Sequence, residues 1–478
     1  MGNTFSNYSS FVLLLLSAGL LFSCTRATNP DIERGSSYYF QDGYPEVRFS
    51  ALGTLDEEDN GVIQAVADIV HASLIYRERD GINRAEIEIE IRIVGKEGTD
   101  YSDTYATSIE VENQQEGYVT SQDIVKFERD LEVPPGYYQV YFSVIDKASG
   151  NQTTRSAETY IPDPDQEIIN LTAVQLLGKI MDNNGSGYTP ITTYDVSTAK
   201  DSIRFVVQVT NNRSEDPLTV NSRLVRFASD TTPARPMSFN NYSPSSMPYK
   251  GIDFSSREIM EETQRVLEQP GSVLIEYRYA LPDRGNYRFE VVAEGADLDN
   301  NELFRARDFS IKSENYPALK TPRELAEPLV YLMGRRDHEE MMKIEDPDSL
   351  KEAVDRFWLS NVGSVSRARS VISLYYERVE QANKQFSNFK EGWKTDAGMI
   401  YILFGPPWYV ERRLNRMQWS YSYDRTDPRY NFYFEKPRMR NEYFPFDNYL
   451  LQRSQNYFNM QYQQVQLWKS GHILTTNI

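Results

Sequence analysis

Cysteine is almost missing from this chain: its 478 residues contain one, Cys24. A single thiol closes no internal disulfide, and in an exported protein it is left for another use. Histidine is nearly as scarce. His71, His338 and His472 lie far apart, and His338-Glu339-Glu340 lacks the second histidine of a zinc-protease helix, so no metal set is expected. Neither a Gly-x-Ser-x-Gly elbow nor a glycine-rich phosphate loop occurs. Basic charge is also short, with 51 Lys and Arg against 69 Asp and Glu, a formal balance of −18. Such a surface repels phosphate backbones and no basic stripe offsets it, which excludes nucleic acid as a partner. The N-terminal apolar run, Phe11 to Phe22 (FVLLLLSAGLLF), is about a dozen residues, too short for a permanent membrane helix.

What is present is ordinary globular composition, 40% apolar and 25% charged, on a chain too long for one core. Two to four domains are expected. The short apolar run suits the core of a signal peptide, although Met1 to Ser10 has no Lys or Arg. It ends in Leu21-Phe22-Ser23-Cys24, which resembles a bacterial lipobox. That resemblance implies cleavage after residue 23 and an acyl (palmitate-type) lipid on Cys24, which would hold the chain to a membrane. Residues 1–23 are thus read as a lipoprotein signal peptide and 24–37 as a polar tether. The residue after Cys24 is Thr25 and not Asp, which favours the outer membrane, with a periplasmic or surface-facing orientation.

From about Tyr38 the pattern is β. Ile87, Ile89, Ile91 and Ile93 alternate with Glu86, Glu88, Glu90 and Arg92, which predicts a half-buried antiparallel strand. Pro134-Pro135-Gly136 leads into Tyr138, Val140, Phe142 and Val144. The same phrase returns as Pro282-Asp283-Arg284-Gly285 before Tyr287, Phe289 and Val291, with the ring again two residues after the glycine. A turn followed by a Tyr-led strand suits an immunoglobulin-like corner. We therefore expect two tandem β-sandwich modules, 38–161 and 166–314, joined at Ile161-Pro162-Asp163-Pro164-Asp165. The stretch 229–256 is too long for a routine hairpin loop, and Glu258 to Leu267 reads as a short helix within this region.

At Thr321-Pro322-Arg323-Glu324 a capping box opens helical grammar, which Pro328 interrupts. Ser349-Leu350-Lys351-Glu352 reads as a second box, ahead of Leu350, Val354, Phe357 and Trp358 on one face. A third helix carries Ala368, Val371, Ile372, Tyr375, Tyr376, Val379, Ala382, Asn383 and Phe386 on its apolar side. Asn383 there needs a partner, and the neighbourhood of Thr395 and Asp396 could supply it. Met399 to Phe404 is uniformly apolar between Thr395-Asp396 and Gly405-Pro406-Pro407, and predicts a strand buried on both faces. The tail from Trp419 is crowded with rings. Met417–Tyr423 and Tyr430–Phe434 read as strands around a turn at 424–429. Tyr449 to Leu467 reads as an extended arm or edge strand, and core filling is the favoured use of the rings.

Taken in order, Phe357-Trp358, Tyr375-Tyr376-Glu377-Arg378-Val379, Ala382-Asn383, Gly392-Trp393-Lys394-Thr395-Asp396 and Tyr401 to Pro407 resemble the GWxTD domain family. That resemblance implies an exported bacterial protein with a β-rich N-terminal region and no defined biochemical role. It assigns 317–478 to an α+β GWxTD domain, a helical bundle on a small aromatic-rich sheet. Gly392, Trp393, Thr395, Asp396, Gly405 and Pro406 are its motif residues, and Arg378 and Asn383 are candidate polar support. Two positions depart from the family pattern: Ala397 stands where Arg is usual, and Trp408-Tyr409 where Asp-Glu is. The expectation is a non-enzymatic envelope lipoprotein, with no cofactor, presenting its modules to an unidentified envelope protein or glycan. The competing expectation is a carboxylate-based hydrolase of peptidoglycan or polysaccharide.

Overall fold

The computed structural model describes residues 32–33, 43–113, 124–179, 187–198, 200–213, 216–239, 251–295, 302–422, 430–436 and 448–475. Cys24 and the apolar run before it lie outside these residues, as does the expected turn at 424–429.

The first β-unit sets a three-stranded sheet (Val47–Leu55, Gly61–Val70, Ile124–Glu132) against a five-stranded one built on Ile82–Lys96 and Gly136–Asp146. The alternation read from the sequence decides which face is buried. Ile87, Ile89, Ile91 and Ile93 meet Phe49, Val140, Phe142 and Val144 in one core. In the second unit Ser202–Asn211 is the central strand of one sheet, between Gly271–Ala280 and the short strands Ile169–Leu171 and Gln175–Lys179. Its facing sheet is Leu218–Ser229, Ile252–Leu267, Gly285–Glu294 and Glu302–Ile311, and the Phe205 and Phe289 rings stack between the two with centroids 4.1 Å apart. The repeated phrase has one geometry in both units. The Tyr138 hydroxyl donates to the Pro134 carbonyl at 2.5 Å, and the Tyr287 hydroxyl to the Asp283 carbonyl at 2.7 Å. Each ring thereby ties its strand back to the turn four residues upstream.

Two expectations in this half are corrected. Glu258 to Leu267 is not helical. It belongs to the edge strand Ile252–Leu267, because pairing with Leu218–Ser229 supplies hydrogen bonds that its local propensity does not foretell. The expected tether contains a short strand as well, since Ile32–Glu33 pairs in parallel with Ala306 and Arg307 of the second unit.

The helical region starts as read. The Thr321 hydroxyl accepts from the Glu324 amide while the Glu324 carboxylate accepts from the Thr321 amide, opening α1 (Pro322–Ala326). After α2 (Arg335–Met342) comes α3 (Pro347–Val362), whose cap is Asp346 and not the expected Ser349. Asp346 accepts from the Ser349 amide at 2.8 Å and Pro347 occupies the first turn, so the helix begins earlier than the box implied. The long helix α4 (Val365–Phe386) buries Ala368, Val371, Tyr375, Val379, Ala382 and Asn383, the expected face.

Residues 396–404 overturn the strand expectation. They form α5 (Asp396–Phe404), and every one of them is buried. A segment apolar all round has no period to separate a strand from an enclosed helix, and here the ends decide. The Thr395 hydroxyl caps the start through the Gly398 amide at 3.0 Å. Gly405, at φ +85°, ends the helix in a conformation that side chains avoid. The four-stranded sheet (Tyr409–Arg412, Arg416–Ser420, Asn431–Glu435, Leu450–Leu451) therefore does not pair with 399–404. It packs beside it, with Trp419, Phe432 and Phe434 buried in the helical core. The expected arm is also helical: α6 (Tyr457–Ser470) buries Tyr457, Gln464 and Trp468 and exposes Phe458 and Tyr462.

Candidate functional site

Gly392 and Gly398 are where three backbones converge. A Cβ on Gly392 would stand 1.9 Å from the Ala382 carbonyl oxygen, and one on Gly398 1.9 Å from that of Gly392. Only glycine lets the loop cross α4 and lets α5 cross the loop at that separation. Trp393, 3% exposed, then fixes the crossing. Its amide donates to Asn383 Oδ1 at 3.2 Å, its carbonyl accepts from the Tyr331 hydroxyl at 2.7 Å, and its ring meets Tyr331 edge-on. Asn383, whose Nδ2 donates to the Pro317 carbonyl at 2.9 Å, is thus satisfied on both sides. The Thr395 hydroxyl, besides capping α5, donates to the Gly392 carbonyl at 2.7 Å.

Asp396, 7% exposed, has both carboxylate oxygens engaged. Arg453 grips it in a fork, Nη2 to Oδ1 at 2.6 Å and Nη1 to Oδ2 at 2.8 Å, and the Leu451 amide donates to Oδ2 at 2.7 Å. The expected grouping of Asp396 with Arg378 and Asn383 does not form. Arg378 donates instead to the Ile402 carbonyl at 3.3 Å and lies over the Trp468 ring, its acidity raised by burial. Its guanidinium also walls in Gly405, whose Cβ would meet Nη2 at 2.8 Å. The carbonyls of Leu403 and of Gly405, at the end of α5, are capped from the side. Trp468 Nε1 and Gln464 Nε2 both donate to the Leu403 oxygen, at 2.9 and 2.7 Å, and the Tyr421 hydroxyl donates to that of Gly405. Pro406, next in the motif, is exposed, as are Trp408 and Tyr409.

The loop preceding the motif meets the second β-unit. Glu391 pairs with Arg284 of that unit and, at 2.8 Å, with Lys394. Burial alone would raise its carboxyl, but Lys394, Arg284 and Lys312 more than reverse this and hold it down to about 2. The Lys312 ammonium donates to the Asn388 carbonyl at 2.5 Å and faces Asp195 at 3.4 Å. Asn286 Nδ2 donates to the Phe389 carbonyl at 3.0 Å. From the long 229–256 stretch, Met237 is fully buried in the core of the helical region, with its amide on Gln461 Oε1. Arg453 donates to the carbonyls of Arg235 and Pro236 too, so the group that holds Asp396 also holds this segment.

Arg453, Glu391, Lys312, Arg284 and Met237 were not foreseen as site residues. Arg453 sits near the start of the Gln-, Asn- and Tyr-rich stretch from Tyr449 to Leu467, with no spacing that ties it to position 396, so no local signal could find it. Glu391 precedes Gly392 directly and carried only that proximity. Among the described residues no group of side chains could hold a metal ion, and no helix is long and apolar enough to cross a membrane.

Comparison with curated proteins yields no match. Similar solved structures include red sea bream transglutaminase (10% identity, TM-score 0.18, 56% of this chain and 31% of that one) and Escherichia coli alpha-2-macroglobulin activated by porcine elastase (8%, TM-score 0.17, 76% and 36%). A third is the C-terminal domain of the Streptococcus pyogenes antigen I/II-family protein AspA (8%, TM-score 0.17, 56% and 99%). This chain spans about a third of the transglutaminase and of the macroglobulin, and at these scores no argument rests on the likeness. The family comparison reaches from before the strand Glu302–Ile311 to the end of α6: residues 297–470 match the GWxTD domain.

Proposed function

We propose that this chain is a non-enzymatic bacterial envelope lipoprotein, held to the outer membrane by lipid on Cys24, that binds or scaffolds an envelope protein or glycan. On this reading the two β-units are immunoglobulin-like sandwiches, for which the paired bonds Tyr138 to Pro134 and Tyr287 to Asp283 speak. The observation that carries the non-catalytic part is the use of the motif's own polar groups. Asp396 is taken by Arg453 and Leu451, Thr395 by its cap, and the Trp393 backbone by Asn383 and Tyr331. A general acid for glycoside hydrolysis needs a carboxyl raised toward neutrality, and Glu391, the acid beside the motif, is held the other way.

Two measurements test this. Metabolic labelling with an alkyne fatty acid should mark the native chain and put it in the membrane fraction, and Cys24→Ala should abolish both. Purified protein should release no soluble fragments from isolated peptidoglycan sacculi. Turnover that Glu391→Gln removes would replace the scaffold reading with the hydrolase one. Pull-down from detergent-solubilised envelopes then identifies the partner.

A further inference from the structure

A cavity of about 550 Å3 opens where the second β-unit meets the motif loop, a size typical of small-molecule sites. Its wall carries six cations, Arg226, Arg257, Arg284, Lys312, Lys390 and Lys394, against two carboxylates, Glu258 and Glu391. Asp195 and Asp230 stand behind Lys312 and Lys390, at 3.4 and 3.7 Å. Six cations against those four acids leave a surplus of two positive charges, on a chain whose overall balance is −18. A concave, partly apolar wall concentrates that field where the rest of the surface repels anions. Phe227, Ile311 and Phe389 supply the apolar part, all three buried.

The edge strand is shaped to deliver one of these cations. Its register against Leu218–Ser229 breaks between Phe227, which pairs with Arg257, and Ala228, which pairs with Asp253. Phe254, Ser255 and Ser256 are lifted out, and the Asp253 carboxylate pins the excursion through the amides of Ser255 and Ser256. A bulge of this kind redirects a side chain away from the ladder. Arg257 follows it, exposed at the cavity wall, and its guanidinium makes no hydrogen bond or ion pair among the described residues.

We propose that this cavity is a binding site for a compact polyanion presenting carboxylate or phosphate oxygens, with Arg257 as the entry contact and Lys390 and Lys394 deeper in. Planar guanidinium forks match both kinds of oxyanion, so the shared chemistry is what the wall recognises. The site does not depend on the lipid anchor, and its failure would leave the scaffold reading standing.

Isothermal titration of the full chain with pyrophosphate and, separately, with citrate tests it, with N-acetylglucosamine as a neutral control. Saturable binding of at least one anion is expected, weakening as salt is raised and at least tenfold weaker in Arg257→Glu and Arg257→Gln. Arg265→Glu, exposed on the same strand outside the cavity, should bind as the unaltered chain does. Tighter pyrophosphate points to a phosphate ligand and tighter citrate to a polycarboxylate. Circular dichroism melts of the variants separate lost binding from lost fold. No titration by either anion, or equal losses in the Arg257 and Arg265 variants, would overturn the site.

Discussion

Between the first and second β-units the joint is made of polar bonds. Gln208 of the second unit exchanges two hydrogen bonds with the backbone of Leu55, both at 2.8 Å, and Thr192 donates to Asp68. The two apolar cores share no residue. Between the second unit and the helical region the joint is apolar and charged together. Val225, Phe227 and Ile252 of one pack with Phe389 of the other, Met237 crosses into the helical core, and Glu391 is locked between Arg284 and Lys394. Polar joints inside a chain resemble transient interfaces, whereas a shared core moves as a body. The difference teaches that the GWxTD motif serves the second joint, and that the first unit is attached rather than fused.

The sharpest way to break this contrast is at Asp396. Asp396→Ala leaves the Arg453 guanidinium buried without its carboxylate, a change that costs about 3–5 kcal/mol for pairs of this kind. Chemical denaturation should show that loss in the transition of the helical region, with the first β-unit unfolding as before.

Acid should act on the same joint. Glu391 sits at about 2 in the folded chain against an ordinary 4.5, so its contribution is whole above the ordinary value and is lost as pH falls from there toward 2. The shift corresponds to roughly 3 kcal/mol. Urea melts across that window should fall more steeply for the unaltered chain than for Glu391→Gln, and parallel curves would remove Glu391 from the joint.

Met237→Ala should cost about 2–3 kcal/mol, toward the low end for buried methionine, and should loosen the 229–239 segment to proteolysis. Smallest of the four is Gln208→Ala at the polar joint, about 1–2 kcal/mol for two buried bonds whose backbone partners lose their mate. Its effect should be confined to cleavage between the β-units. Were Gln208→Ala to destabilise the helical domain as much as Met237→Ala does, the two joints would not differ.

How much of this was legible depends on whether a residue's role is written in its neighbours. The isoleucine alternation at 87–93 and the α4 stripe are local periods, and both place the burial correctly. The Thr321 box names its own partner three residues on. Met399 to Phe404 carries no period, so its helix was hidden until the caps at Thr395 and Gly405 were seen together. The edge strand Ile252–Leu267 is dictated by its pairing partner. The site was least legible: Asp396 could be read as important, but its partner Arg453 is 57 residues away and nothing local couples them.

Hydrogen exchange followed by mass spectrometry on the full chain and on Asp396→Ala tests the central claim most directly. The account predicts that in the unaltered chain Gly285–Glu294 and Asp396–Phe404 open at one common free energy, distinct from that of Ile82–Lys96, and that Asp396→Ala lowers the first two together. Exchange of Asp396–Phe404 that quickens while Gly285–Glu294 keeps its full protection would contradict it.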